Sequence, residues 1–243
     1  RMMNQASGGL IKNWCEGRGV RVLTSTRVEG ISGGQQLEVS LSGGETLAAD
    51  LVISATGVRP NTEFVADSGV EVDHGILVNE HLQTACDGVF AAGDVAQGRD
   101  FSTGEYSVQA IQPTAVEHGK AAASNMVDGK GVVHRGCLNM NILDTMGLVS
   151  TSFGAWEGVD GGQSAELSDS DRYRYLDLQF DGDVLVGANA LGLTQHVGVI
   201  RGMIQTQLRL GRWKDRLLEN PLQLMEAYVA AAHGVSDGVN TSV

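Results

Sequence analysis

The stretch Thr-Ala-Cys-Asp-Gly-Val-Phe-Ala-Ala-Gly-Asp occupies residues 84–94. Its polar turn and the apolar run at residues 89–92 predict a short buried strand that stops at Gly93. Asp94 would then lie at the carboxyl end of a strand, which is where open α/β sheets bind their ligands. Gly93 would let a ligand approach the backbone, and the Asp94 carboxylate could accept hydrogen bonds from sugar or polyol hydroxyls. Taken alone, the segment fits a strand that simply ends in a Gly-Asp turn better than it fits a ligand site.

A second segment of the same kind lies upstream, at residues 50–61. Its β-branched apolar run, Leu51–Ser54, predicts another strand. The run breaks at the small residues Ala55, Thr56 and Gly57, and Pro60 excludes a helical continuation. The order and separation of the two segments are more specific than either segment alone.

Together the two segments resemble the FAD-dependent pyridine nucleotide-disulfide oxidoreductase family. Chains of that family carry an Ala-Thr-Gly strand followed by a strand ending in Val-Phe-Ala-x-Gly-Asp. The resemblance implies an α/β fold with FAD and NAD(P)H as cofactors. It also implies that Asp94 hydrogen-bonds the ribityl chain of FAD.

The resemblance continues through residues 107–125, which are similar to the helix after this aspartate in the branch of rubredoxin reductases and nitrite reductase flavin subunits. Pro113 suits the first turn of a helix, because its missing N–H would be unpaired there. The resemblance implies that the first turn, Gln112, Pro113 and Thr114, directs free N–H groups at the pyrimidine edge of the flavin. An ordinary surface helix with alanines packed inward is the alternative, and both interpretations can hold together.

The chain contains neither of the two Gly-x-Gly-x-x-Gly turns that bind FAD and NAD(P)H pyrophosphates in complete enzymes of this family. We therefore expect it to be the carboxyl-terminal portion of a flavoprotein, with the amino-terminal FAD/NAD half as a partner. The chain alone would bind FAD or NAD(P)H weakly and would be inactive.

Three domains are predicted, within an α/β (α+β overall) fold. Residues 1–80 would be the second half of an NAD(P)-binding domain, and residues 81–130 the returning segment of the FAD-binding domain. Residues 131–243 would form an α+β interface-type domain.

Local patterns predict further elements. In the first domain these are a helix at residues 2–16, a strand at 20–23 and a hairpin of 36–41 with 46–47. In the last domain they are a hairpin joined by Asp181-Gly182-Asp183, a helix from Val197 closed by Gly211, and a helix at 222–232.

Composition excludes several classes of function. A net charge of −12 argues against nucleic acid as a partner, and no apolar run is long enough for a membrane span. Three cysteines without a Cys-x-x-Cys spacing fit a reducing compartment and a cytoplasmic location. We expect their thiols to be buried or idle: Cys15, Cys86 and Cys137. No metal site is predicted, because the histidines are scattered in sequence: His74, His81, His118, His134, His196 and His233. The sequon at Asn240 is interpreted as a chance match.

The predicted function is that of an FAD-dependent NAD(P)H oxidoreductase. It would pass hydride from nicotinamide to flavin and electrons on to a protein or small-molecule acceptor, such as a redox protein. The flavin supplies the chemistry, so no catalytic acid or base is predicted. A cofactor-free interaction or scaffold module derived from the same fold is the alternative. A homodimer is a further expected partner, and NADH and NADPH are not distinguished.

Overall fold

The structure, a computed structural model, describes residues 2–129 and 131–234. The Asn240 sequon lies outside the described residues. Contacts divide the chain into two compact units, one of Cys15–Arg59 and the other of the chain up to Trp14 and from Pro60 onward. This division follows contacts alone, and the three domains expected from the sequence stay a prediction.

Helix α1 spans Gln5–Glu16 and confirms the predicted amino-terminal helix. Asn4 caps it, since its Oδ1 accepts a hydrogen bond from the Ser7 N–H at 3.0 Å. The apolar side of α1 packs against one face of the large sheet described below, in a cluster that contains Leu10, Ile11, Trp14, Leu148, Tyr175 and Leu191.

The unit of residues 15–59 is built around a three-stranded antiparallel sheet with the order β1-β2-β3. Its strands are β1 (Val28–Gly33), β2 (Leu37–Leu41) and β3 (Thr46–Ala49). The pairing of β2 with β3 confirms the predicted hairpin.

Two strands predicted in this unit are wrong. Residues 20–23 and 51–54 form no strand, because their backbone groups find no ladder partner within the described residues. The apolar side chains of Leu51 and Ile53 are 73% and 80% exposed.

The other unit contains a small sheet and a long helix. The sheet has the order β4-β5-β6, with β4 (Ile76–Leu77) parallel to β5 (Ala96–Arg99) and β6 (Tyr106–Ser107) antiparallel to β5. Helix α2 spans Gln112–Asp128 and ends at Gly129, whose φ of 67° is left-handed. Ala121 and Ala122 of α2 belong to the same buried cluster as Ile76, Leu82 and Ala96. The inward packing of alanines, weighed in the sequence, is therefore present.

A five-stranded antiparallel sheet follows, with the order β7-β8-β11-β10-β9. Its strands are β7 (Met140–Thr145), β8 (Leu148–Gly154), β9 (Gln163–Asp169), β10 (Arg174–Asp181) and β11 (Val184–Leu191). The pairing of Asp181 with Val184 confirms the predicted hairpin.

Three helices complete this unit: α3 (Val197–Thr206), α4 (Arg212–Glu219) and α5 (Leu224–Ala232). Helix α3 ends earlier than predicted, because Gln207 adopts a left-handed conformation, and Gly211 instead precedes α4. Helix α5 begins at Leu224, after a turn at residues 221–223.

The two faces of the five-stranded sheet differ in chemistry. One face of the sheet packs against α3, α4 and α5 to form the main core. The most buried side chains of this core include Leu178, Phe153 and Met203. Helix α1 packs on the opposite face. The mixture of helices and sheets confirms the predicted fold class. None of the helices in the described part of the chain has the length and apolar character needed to cross a bilayer.

Candidate functional site

The segment before Asp94 is extended, but it is not the strand expected at residues 89–92. Phe90 forms only an isolated bridge with Gln83, and the Ala91 N–H donates to the Leu82 carbonyl at 3.1 Å. The chain then makes a single 3₁₀ turn at Gly93–Val95 before β5. The predicted strand at residues 89–92 is therefore wrong. These residues pair with residues 82–84 through a few hydrogen bonds across a turn, and they do not join a sheet.

Gly93 brings this turn against helix α2. Its φ is 74°, a left-handed conformation that favours glycine, and a Cβ at this position would lie 3.5 Å from the Cβ of Ala115. Asp94 follows directly and is exposed. Within the described residues its carboxylate has no hydrogen-bond or ion-pair partner, so both oxygens are available to a ligand.

The amino terminus of α2 is open. Ile111 precedes the helix in an extended conformation, and no side chain caps it. The first intrahelical bond runs from the Ala115 N–H to the Ile111 carbonyl, at 3.1 Å. Pro113 has no N–H, and among the described residues nothing accepts from the N–H groups of Gln112 and Thr114. This end of α2 therefore carries the partial positive charge that attracts electron-rich ligands.

The residues of this first turn differ in exposure. Gln112 is exposed and Pro113 is partly buried, whereas Thr114 is only 3% exposed and its hydroxyl acts to lower the pKa of the Cys137 thiol. Thr114 can therefore donate its backbone N–H to a ligand, while its side chain is buried in the interior.

His118 connects the Gly93 turn to Cys137. Its Nδ1 accepts from the Gly93 N–H at 3.3 Å, which leaves the ring proton on Nε2, 3.0 Å from the Cys137 sulfur. Burial, with a smaller contribution from His134, lowers the pKa of His118 to about 4. Burial raises the pKa of the Cys137 thiol to about 11, although the Thr114 hydrogen bond opposes this. His118 and Cys137 are thus neutral near pH 7.

The expectation of isolated histidines is wrong for His118 and His134, whereas Cys137 is buried, which is one of the two outcomes expected for the thiols. The rings of His118 and His134 meet edge to face with centroids 4.8 Å apart, and His134 Nε2 lies 4.0 Å from the Cys137 sulfur. The His-x-x-Cys spacing of residues 134–137 was the available sequence signal. His118 on α2 is the third member of this group, and it is too distant in sequence to be identified from spacing.

The other predicted site segment lies in the unit of residues 15–59. Ala55, Thr56 and Gly57 are exposed, and Gly57 has a left-handed φ of 104°. The hydroxyls of Ser54 and Thr56 lie 3.4 Å apart. The structure thus brings Gly93 and Asp94 together with α2, and the role of residues 55–57 stays a prediction.

Comparisons with known proteins agree with this architecture. The family model described as pyridine nucleotide-disulphide oxidoreductase matches residues 1–119. The epsilon subunit of NADH-dependent phenylglyoxylate dehydrogenase from Aromatoleum evansii is 32% identical over 224 residues, which are 90% of this chain and 52% of the relative. Nitrite reductase [NAD(P)H] of Bacillus subtilis (strain 168) is 26% identical over 98% of this chain and 29% of its own length.

Among solved structures, that of the covalent putidaredoxin reductase-putidaredoxin complex superimposes with a TM-score of 0.81 and 24% identity. The match covers 96% of this chain and 55% of the other. The chain thus spans about half the length, or less, of the proteins that it resembles. From the agreement of family match, sequence relatives and fold, the chain belongs to the pyridine nucleotide-disulphide oxidoreductase family.

Proposed function

We propose that this chain is the carboxyl-terminal part of an FAD-dependent NAD(P)H oxidoreductase. The observation that carries the proposal is the packing of the Gly93–Asp94 turn against the open amino terminus of α2. A free carboxylate and free backbone N–H groups occur in the same local structure. That combination suits a ligand with hydroxyl groups and an electron-rich ring.

The described residues fit FAD in chemical terms. The Asp94 carboxylate would accept a hydrogen bond from a ribityl hydroxyl, and Gly93 leaves the backbone accessible beside it. The N–H groups of Gln112 and Thr114, with the α2 dipole, would favour electron density on a neighbouring ring. When bound, FAD would take hydride from the nicotinamide and pass electrons to an acceptor. Residues 55–57 are proposed to contribute from the nucleotide-binding domain.

The electron acceptor is proposed to be a redox protein. One structural relative was solved as a covalent complex of a reductase with putidaredoxin. The net charge of −12 would favour an acceptor with a basic docking face.

An Asp94→Ala substitution tests the proposal. In the protein assembled with its FAD-binding half, it should weaken FAD binding by about ten- to a hundredfold, because a charge-assisted hydrogen bond of roughly 1.5–3 kcal/mol is lost. FAD affinity is measured by titration of the flavin-free protein, with flavin fluorescence as the signal.

Asp160→Ala is the matched control, since Asp160 is an exposed carboxylate far from the turn in sequence. It should leave FAD affinity unchanged. Equal affinity in Asp94→Ala and the parent protein would remove the assignment of Asp94 and favour a scaffold role for the fold.

A further inference from the structure

His118, His134 and Cys137 form a compact cluster of three potential metal ligands. His118 comes from α2, whereas the other two lie in the segment that joins α2 to β7. Their ligand atoms all lie within 4.8 Å of one another. The side chains of His118 and Cys137 are 2% and 3% exposed, so the cluster is largely shielded from water.

Two imidazoles and a thiolate are a donor set typical of zinc and other soft transition-metal ions. We propose that His118, His134 and Cys137 bind one such cation through His118 Nε2, His134 Nε2 and Cys137 Sγ. Three protein ligands leave a fourth position open to water or to another small ligand. The inference concerns this cluster alone and does not depend on flavin binding.

The surroundings favour a cation. The carboxylates of Asp100 and Glu117 are close enough to act on the Cys137 thiol electrostatically. Asp100 is itself buried and is held by Gln109 Nε2, which also donates to the Cys137 carbonyl. The thiol releases one proton as the sulfur–metal bond forms.

Binding requires a small rearrangement of the site. Tetrahedral bonds of about 2.0–2.1 Å to nitrogen and about 2.3 Å to sulfur place the ligand atoms about 3.3–3.6 Å apart. His134 Nε2, now 4.0 Å from the Cys137 sulfur, must therefore move closer, and the 3.0 Å contact between His118 Nε2 and that sulfur must lengthen. His134 can supply this movement, because it lies in a segment without regular structure and is only partly buried.

A metal at His118 also changes a hydrogen bond. A metal on Nε2 moves the remaining ring proton to Nδ1, which then cannot accept from the Gly93 N–H. Metal binding and the His118–Gly93 hydrogen bond therefore exclude each other.

The test is titration of the purified protein, first treated with a chelator, with Co²⁺ as a spectroscopic probe and Zn²⁺ as a competitor. One Co²⁺ should bind and produce a near-ultraviolet thiolate-to-cobalt band, which Zn²⁺ removes. Zn²⁺ binding should release one thiol proton for each ion bound. Cys137→Ser should abolish the band, and His134→Asn should weaken Zn²⁺ binding about tenfold or more.

Cys86→Ser and His74→Asn are the matched controls, because both positions lie outside the cluster, and neither should change the titration. His134→Asn keeps the test decisive if Cys137→Ser does not fold, since His134 is the most exposed of the three. Absence of the band in the folded parent protein would overturn the proposal. So would a band or a Zn²⁺ affinity that His134→Asn leaves unchanged.

Discussion

At the scale of single residues, the left-handed backbone of Gly93 restricts which residue can occupy that position. A left-handed φ costs a residue with a Cβ about 1–2 kcal/mol, although the Cβ of alanine would find only ordinary contact with Ala115. Gly93→Ala should therefore lower the free energy of unfolding by roughly 1–2 kcal/mol, measured by urea denaturation.

Gly119→Ala provides the comparison on α2. A Cβ at Gly119 meets nothing within 4 Å, and the residue is inside the helix, so alanine should raise stability by about 0.5–1 kcal/mol. If Gly93→Ala and Gly119→Ala had equal stabilities, the left-handed backbone at Gly93 would not be a cause of destabilisation by alanine.

Single residues also show where sequence reasoning ends. The local pattern predicts Asp94 at the end of an apolar run, and the family resemblance adds the first turn of α2, which the structure places beside Gly93. The inward side chain of Thr114 and the contact of His118 with Cys137 could not be predicted, because both depend on a segment about twenty residues away. Local spacing does not determine which distant side chains meet in a core.

At the scale of elements, the five-stranded sheet contains a row of polar side chains, one from each strand. The alternation of polar and apolar residues along a strand does not predict that the middle ones are buried. The strand register aligns Asn141, Ser152, Asn189, Asp177 and Glu166 across β7, β8, β11, β10 and β9. A strand that alternates polar and apolar residues predicts that its polar side faces water. Here Ser152 and Asn189 are fully buried, and Asp177 is 6% exposed.

This burial arises from contacts that are remote in sequence. The Asn4 amide donates to the Asp177 carboxylate at 3.2 Å across 173 positions, and Gln179 donates to the same carboxylate. Hairpins and helices with strong local signals were therefore predictable. The covering of one sheet face by α1, and by Asn4 just before it, was not predictable.

The buried Asp177 carboxylate predicts a pH dependence of stability. Burial raises the pKa of Asp177 above its ordinary value of 3.8, and the charge of Glu166 adds to the shift. The folded state then binds the proton more tightly than the unfolded state. The contribution of this group is fully present below the unfolded pKa and is lost as pH rises through the folded pKa.

The asparagine side chain in Asp177→Asn does not titrate, so this variant should not lose the stability that the parent protein loses as pH rises. Its stability relative to the parent protein should increase as pH rises from 3.8 through the raised pKa of Asp177, measured by urea unfolding at several pH values. Asp181→Asn, at the exposed end of the same strand, is the control. A stability difference that does not vary with pH in this range would show that the Asp177 pKa is not raised.

At the scale of the whole molecule, exposed apolar side chains predict self-association. From the sequence we expect the segment at residues 20–23 and the domain from residue 131 onward to make such contacts. The structure adds Leu51 and Ile53, whose exposure is far greater than that of Val20 and Leu23, at 42% and 37%. Contiguous exposed apolar surface promotes association.

Sedimentation velocity should therefore show association that increases with protein concentration. Replacing Leu51 and Ile53 with serine should weaken it about tenfold or more, because apolar area no longer leaves water on association. Val127→Ser is a control for an equally exposed apolar residue, at the end of α2. A strict monomer at high concentration would contradict the prediction.

The docking of α1 on the large sheet has a consequence for synthesis on the ribosome. Leu10 packs with Leu148 and Leu191, so its partners are made long after the helix itself. At about 5–20 residues per second, the intervening chain takes roughly 10–40 s to appear. During that interval the apolar face of α1 remains unburied in the nascent chain and is a target for chaperones. Chains stalled before β11 should accordingly crosslink to a chaperone through α1, and chains released after β11 should not.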